Sequence, residues 1–149
     1  MGRAEAATII HAPAAAVWDS LNDITHTPDW VVGLVGAEVV TPGEYGLGAV
    51  YHDHNRLGPF PQVTAWRVTA FEPLRRQVHE SKSKVLPTTM TLTLTPETDG
   101  TRLHMRVDYR LLPRLGIVSR ALERLLMNRA LSGVLKQNQT NLDAYLRGR

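Results

Sequence analysis

The 149-residue sequence contains no cysteine, which excludes disulfides, thiolate zinc sites and a cysteine nucleophile. It also lacks any apolar run approaching the ~18 residues that a membrane-crossing helix needs. The start has no basic stretch followed by an apolar one, so a secretory signal is not expected. Gly2 invites comparison with a myristoylation site, but Ala6 stands where that pattern needs Ser or Thr. A phosphate-binding glycine loop, a nucleophile elbow, a kinase signature and interleaved aromatic and basic residues are all missing. Nucleotide enzymes and nucleic-acid partners are therefore not expected, and the chain reads as a soluble cytoplasmic protein.

The length fits one domain, residues 1–149, able to bury ~70% of the surface its unfolded form exposes. The formal net charge of +3 is unevenly spread. Residues 101–149 carry ten Lys and Arg against Asp108, Glu123 and Asp143, so the first hundred residues are net acidic. Most of those basic side chains fall on the outward face of a strand or the polar side of a helix, which reads as a solvated face. Peripheral contact with anionic lipid stays open.

Periodicity orders the chain. Residues 6–11 read as a β-branched strand, and Pro13 opens a helix through Asn22 whose inward stripe is Ala16, Val17 and Leu21. Thr27 and Pro28 begin a second short helical piece carrying Trp30. Further strands are expected at 37–41, 49–56, 63–71 and 77–82, punctuated by Gly46, Gly48, Gly58 and several prolines. Residues 89–95 alternate cleanly: Met90, Leu92 and Leu94 on one face, threonines on the other. Asp99 and Gly100 turn the chain into residues 101–111. There Leu103, Met105, Val107, Tyr109 and Leu111 oppose Arg102, His104, Arg106, Asp108 and Arg110.

Residues 117–146 then read as one helical run of ~45 Å, longer than a ten-residue strand at ~33 Å. A flat sheet cannot wrap such an element, whereas a curved one can, leaving space for a small ligand between them. On a helical projection Val118, Ala121, Leu122, Leu125 and Leu126 gather on one side. Leu131, Val134, Leu135, Leu142, Tyr145 and Leu146 gather nearly opposite. The phase changes across residues 128–133. Either the second half grips the sheet while the first half serves as a lid, dimer contact or membrane-touching face, or the helix bends or breaks there.

This order of elements is similar to the helix-grip fold of the START-like, birch-pollen-allergen and polyketide-cyclase (SRPBCC) superfamily. Ile10, Ala12, Pro13, Val17, Trp18, Leu21 and Asp23 resemble its opening, and Pro28 and Trp30 its second-helix signature. Gly46 and Gly48 resemble its hairpin glycines. Phe71, Glu72, Pro73, Arg75 and Arg76 resemble a later strand-to-strand turn. The resemblance implies an α+β domain: a curved antiparallel sheet of about seven strands around a long C-terminal helix, with two short helices after the first strand. Within that group residues 9–39 look most like single-domain aromatase/cyclases. Those enzymes imply a pocket arginine, matched here by Arg67, and a tyrosine whose position is held by Leu34, a departure from the pattern.

The residues themselves leave the phase of two strands open. Arg67 faces inward with Val63, Ala65, Thr69 and Phe71, or it is a surface residue while Thr64, Trp66, Val68 and Ala70 face inward. His52 and His54 share one face, with Tyr51 and Asp53 on the opposite one, and if Val50 points inward then His52 and His54 do too. An inward His52 or His54 could move protons near neutral pH, and an inward Arg67 could stabilise enolate charge. His79 and Glu80 look like an exposed sheet edge, with Lys82 or Lys84 near Glu80. His104 belongs outside, and His26 to the turn at Pro28. A metal site is not expected, since the histidine pair has no third ligand at a fitting spacing.

The first functional expectation is a cofactor-free cavity for a hydrophobic or aromatic small molecule, lipid or polyketide-like. Its expected walls are Trp30, Tyr51, Trp66, Met90, Leu92, Met105, Val107, Tyr109, Val134 and Asn138. The alternatives are a polyketide aromatase/cyclase using Arg67, His52 and His54 on a poly-carbonyl chain, and a protein-interaction module. A homodimer is left open.

Overall fold

Hydrophobic alternation builds the sheet. In this computed structural model, residues 2–57, 59–82, 86–110 and 117–148 are described, residues 57 and 117–123 by their backbone only. The strands are β1 (Gly2–Ile10), β2 (Leu34–Val39), β3 (Val50–Leu57), β4 (Phe60–Glu72), β5 (Arg76–Ser81), β6 (Thr88–Glu97) and β7 (Gly100–Tyr109). Helix α1 (Ala14–Asn22) and a 3₁₀ helix (Ile24–Asp29) follow β1, and α2 (Ile117–Arg147) closes the order. The seven strands form one curved antiparallel sheet in the order β1-β7-β6-β5-β4-β3-β2.

The β6–β7 hairpin shows why the pattern works. Leu92 pairs with Met105 and Leu94 with Leu103 on the buried face. On the outward face His104 reaches Glu5 at 3.3 Å, and Asp108 joins Arg3 at 2.7 Å and Arg106 at 3.1 Å. Such exposed pairs contribute little to stability. Gly100, at φ 153°, makes the tight approach to the Ile10 carbonyl that a Cβ would block.

Helix α2 lies against β1 through both apolar and polar contacts. Leu135 and Leu142 are buried. The Gln139 amide donates to the Ala6 carbonyl at 2.8 Å and the Leu103 carbonyl at 3.2 Å. Lys136 Nζ donates to the Ala7 carbonyl at 2.9 Å and Thr8 Oγ1 at 2.7 Å. The helix therefore covers an edge strand that would otherwise invite pairing.

The helix runs unbroken through residues 128–133, so of the alternatives left by the sequence a break there does not occur. Across the phase change one helix presents its apolar residues to opposite sides, and Leu125 is 52% and Leu126 57% exposed. Val134, one step from buried Leu135, is 39% exposed. Val118, Ala121 and Leu122 have side chains outside the described set, as do Leu111 and Lys84 entirely.

Two further expectations change. Strand β1 begins at Gly2, where the missing side chain makes room for the Tyr109 ring on β7. Strand β5 is central, paired with β4 and β6, so His79 and Glu80 are not at a sheet edge. Its buried face carries Gln77, His79 and Ser81, and His79 is 2% exposed.

Candidate functional site

The phase of β3 and β4 decides what faces the helix. Tyr51 pairs with Trp66 and Asp53 with Thr64. Their side chains turn inward, and the Tyr51 and Trp66 rings stack at 6.5 Å with 15° between planes. Val50, His52 and His54 pair with Arg67, Ala65 and Val63 on the other face. A register shift between Val68 and Ala70 adds one residue to β4 there. Such a bulge turns side chains over, so Trp66, buried Val68 and Phe71 all point inward despite unequal spacing.

Between the sheet, α2 and the 3₁₀ helix lies a cavity of about 180 Å³. Leu21, Ile24, Trp30, Leu34, Met90, Leu92, Met105 and Leu135 supply apolar wall, and Thr27, Tyr51, Asp53, Trp66, His79 and Asn138 supply polar atoms. Of the expected wall residues, the structure brings together Trp30, Tyr51, Trp66, Met90, Leu92, Met105 and Asn138. Val107 and Tyr109 are instead buried core nearer the far end of β7, where Tyr109 donates to Asn128 Oδ1 and, at 3.3 Å, the Arg124 carbonyl. Val134 projects from the exposed side of α2.

The expected polar trio is placed elsewhere. Arg67 is exposed and lines a wider open groove of about 710 Å³ with Val63, Ala65, Glu80 and Lys82. His54 pairs with Glu38 at 3.0 Å, and His52 shares its outward face. We take the smaller space as the candidate site because apolar side chains enclose it. Trp66 is the only described residue lining both spaces.

Inside, one hydrogen-bonded chain has a fixed direction. The Gln77 amide nitrogen donates to Asn22 Oδ1 at 2.6 Å, so its carbonyl oxygen faces His79 Nε2 at 2.8 Å. His79 Nε2 must then carry a proton, and Nδ1, 2.5 Å from the Tyr51 hydroxyl, must accept. Burial holds His79 neutral, lowering its pKa to about 4. Burial, and then Asp53 and Tyr45, raise the Tyr51 phenol well above its ordinary value. The Tyr51 proton is thus committed to His79, and only its oxygen lone pairs remain for the cavity.

Asp53 is the second polar feature. Burial raises its carboxyl to about 6, while His54 and a hydrogen bond from Trp66 oppose that shift. On the helix side, Asn138 Oδ1 accepts from the Val32 N–H at 2.8 Å. Among the described residues, no cluster suited to a metal ion occurs. Among them, too, no helix is long and apolar enough to cross a membrane.

Sequence reasoning missed Asp53 and His79. The alternation that excludes His52 from the inner face places Asp53 on it. For His79 the available signal was connectivity, because a strand in the middle of a meander has no free edge.

The architecture matches solved structures. An aromatase/cyclase from a Streptomyces species, Zhui, superposes with a TM-score of 0.74 at 18% identity, over 99% of this chain and 95% of that one. The di-domain aromatase/cyclase StfQ of the steffimycin biosynthetic pathway gives 0.80 at 16% identity, over 99% of this chain and 51% of that one. The protein TTHA0849 from Thermus thermophilus gives 0.74 at 20% identity, over 96% and 98%. Identities this low establish the fold alone. No curated protein matches in sequence. A model of the family described as polyketide cyclase / dehydrase and lipid transport matches residues 1–147, and the chain belongs to that family.

Proposed function

We propose that the protein binds a small, mostly apolar molecule of one or two rings in the cavity between sheet and α2. The observation that carries this reading is the cavity itself: about 180 Å³, apolar in most of its wall, with a few convergent polar groups. A dry apolar cavity of about 150 Å³ accommodates benzene, which sets the scale. A long poly-carbonyl chain is too large for that space. Isothermal titration with 1-naphthol tests the reading. Binding is expected in the wild type and should be abolished by Leu135→Trp, which fills the cavity from the helix side. Absence of binding, or binding that Leu135→Trp leaves unchanged, counts against it.

A second reading, turnover of a carbonyl compound in the manner of a cyclase or dehydrase, is favoured by one observation. Asp53 lines the cavity, where burial raises its carboxyl to about 6, a range that suits a general base. On that reading Asp53→Asn removes turnover and leaves 1-naphthol affinity intact. If Asp53→Asn keeps its turnover, this assignment fails.

A further inference from the structure

The cavity has an unusual balance of hydrogen-bonding roles. Tyr51 offers only lone pairs, because its proton is committed to the acceptor nitrogen of His79. Asp53 when ionised likewise only accepts. The Trp66 indole N–H gives it one hydrogen bond, but that neutral donor leaves the charge itself unpaired, and acceptors predominate on that side of the cavity. Arginine and lysine are absent among its described lining residues, so the Asp53 carboxylate has no cationic partner within the cavity. His54, whose charge acts on it, lies on the opposite face of the sheet and pairs with Glu38.

A buried charge without a counter-charge is costly. A ligand that brings a positive charge removes that cost and satisfies the acceptors together. The remaining wall suits the same chemistry, since the rings of Trp30, Trp66 and Tyr51 line the space, and aromatic faces attract cations. Resting on the binding reading above, we propose that the ligand is an organic amine bound as its cation. Its ammonium pairs with Asp53 and hydrogen-bonds to Tyr51, and its ring lies against Trp30, Trp66 and Met105.

Ionised Asp53 is required. Among the described residues, the titratable groups around it are Tyr45 from the connection ahead of β3, Tyr51 and His54 on β3, and His79 on β5, while β2, β4 and the 3₁₀ helix bring only uncharged Leu34, Trp66, Ile24, Thr27 and Trp30 to the cavity. From β6, β7 and α2 the cavity receives Met90, Leu92, Met105, Leu135 and Asn138, none of them charged. Tyr45 and Tyr51 stay protonated near neutral pH, since burial raises both phenols.

Calorimetric titration with benzylamine, benzyl alcohol and benzoate tests the proposal, because the three share a ring and differ in charge. Near neutral pH benzylamine should bind about tenfold or more tighter than benzyl alcohol, with benzoate weakest. The advantage should shrink at about pH 5, where Asp53, which titrates at about 6, is protonated. In Asp53→Asn the amine and alcohol should bind within about twofold of each other. The pH comparison in the wild type stands even if that variant does not fold. Equal binding of amine and alcohol, or a preference for benzoate, overturns the amine proposal. Binding of 1-naphthol in the same preparation would then show the cavity reading intact. Failure of all four probes overturns both.

Discussion

Replacing Asp53 with Asn should stabilise the protein near neutral pH. The folded state raises this carboxyl from 3.8 to about 6, a shift equivalent to about 1–3 kcal/mol once partial solvent access is allowed for. Between those values the folded protein binds more protons than the unfolded chain, so this group adds stability as pH falls through 6. Above that range the wild type bears the cost of a buried carboxylate, and Asn does not.

His79 works in the opposite sense. Its folded value is about 4 against 6.5 unfolded, so the unfolded chain takes up the proton first. Stability is then lost, by about 3 kcal/mol, as pH drops through that window. The two contributions largely cancel in the wild type, and Asp53→Asn should expose the His79 slope. Urea unfolding followed by circular dichroism between about pH 4 and pH 7 reads this directly. The variant should be more stable than the wild type at the upper end, with its advantage gone near the lower end. A variant less stable at pH 7, or a profile parallel to the wild type, refutes the placement of Asp53 in the cavity wall.

Three further outcomes follow from the same geometry. Tyr51→Phe keeps the stack on Trp66 but leaves His79 Nδ1 without its donor. It should cost about 1–3 kcal/mol in the wild type and far less in a His79→Leu background; equal losses would mean the two are not coupled. Leu142→Ala, at a fully buried contact of α2, should cost about 2–5 kcal/mol in urea unfolding. A loss below about 1 kcal/mol would mean that the helix does not seal the core there. Arg67→Ala should leave 1-naphthol affinity within about twofold and stability within about 0.5 kcal/mol; a tenfold loss of affinity would place Arg67 in the site after all.

The fold was legible where one face of an element meets water. In β6 and β7 Met90, Leu92 and Leu94, and Leu103, Met105, Val107 and Tyr109, alternate with polar residues and turn to the core, so alternation gave both the strands and their phase. The site was less legible because β4 changes phase within itself. The extra residue near Thr69 lets Trp66 and Phe71 share a face that a strict two-residue repeat denies them. Strand β5 misled differently: Gln77, His79 and Ser81 look like a solvated edge, yet they are buried in the middle of the sheet, with Gln77 and His79 joined in one hydrogen-bonded chain. In α2 the phase change was visible at Leu125 and Leu126, but not that the helix would continue and leave them exposed.

The most direct test of the cavity uses the three tryptophans. Trp30 and Trp66 line the cavity, whereas Trp18 packs against Phe71 at 5.1 Å outside it. In a proton–nitrogen correlation spectrum titrated with 1-naphthol, the indole signals of Trp30 and Trp66 should move while that of Trp18 stays. Movement of Trp18 alone, or of none of the three, would contradict a ligand site between the sheet and α2.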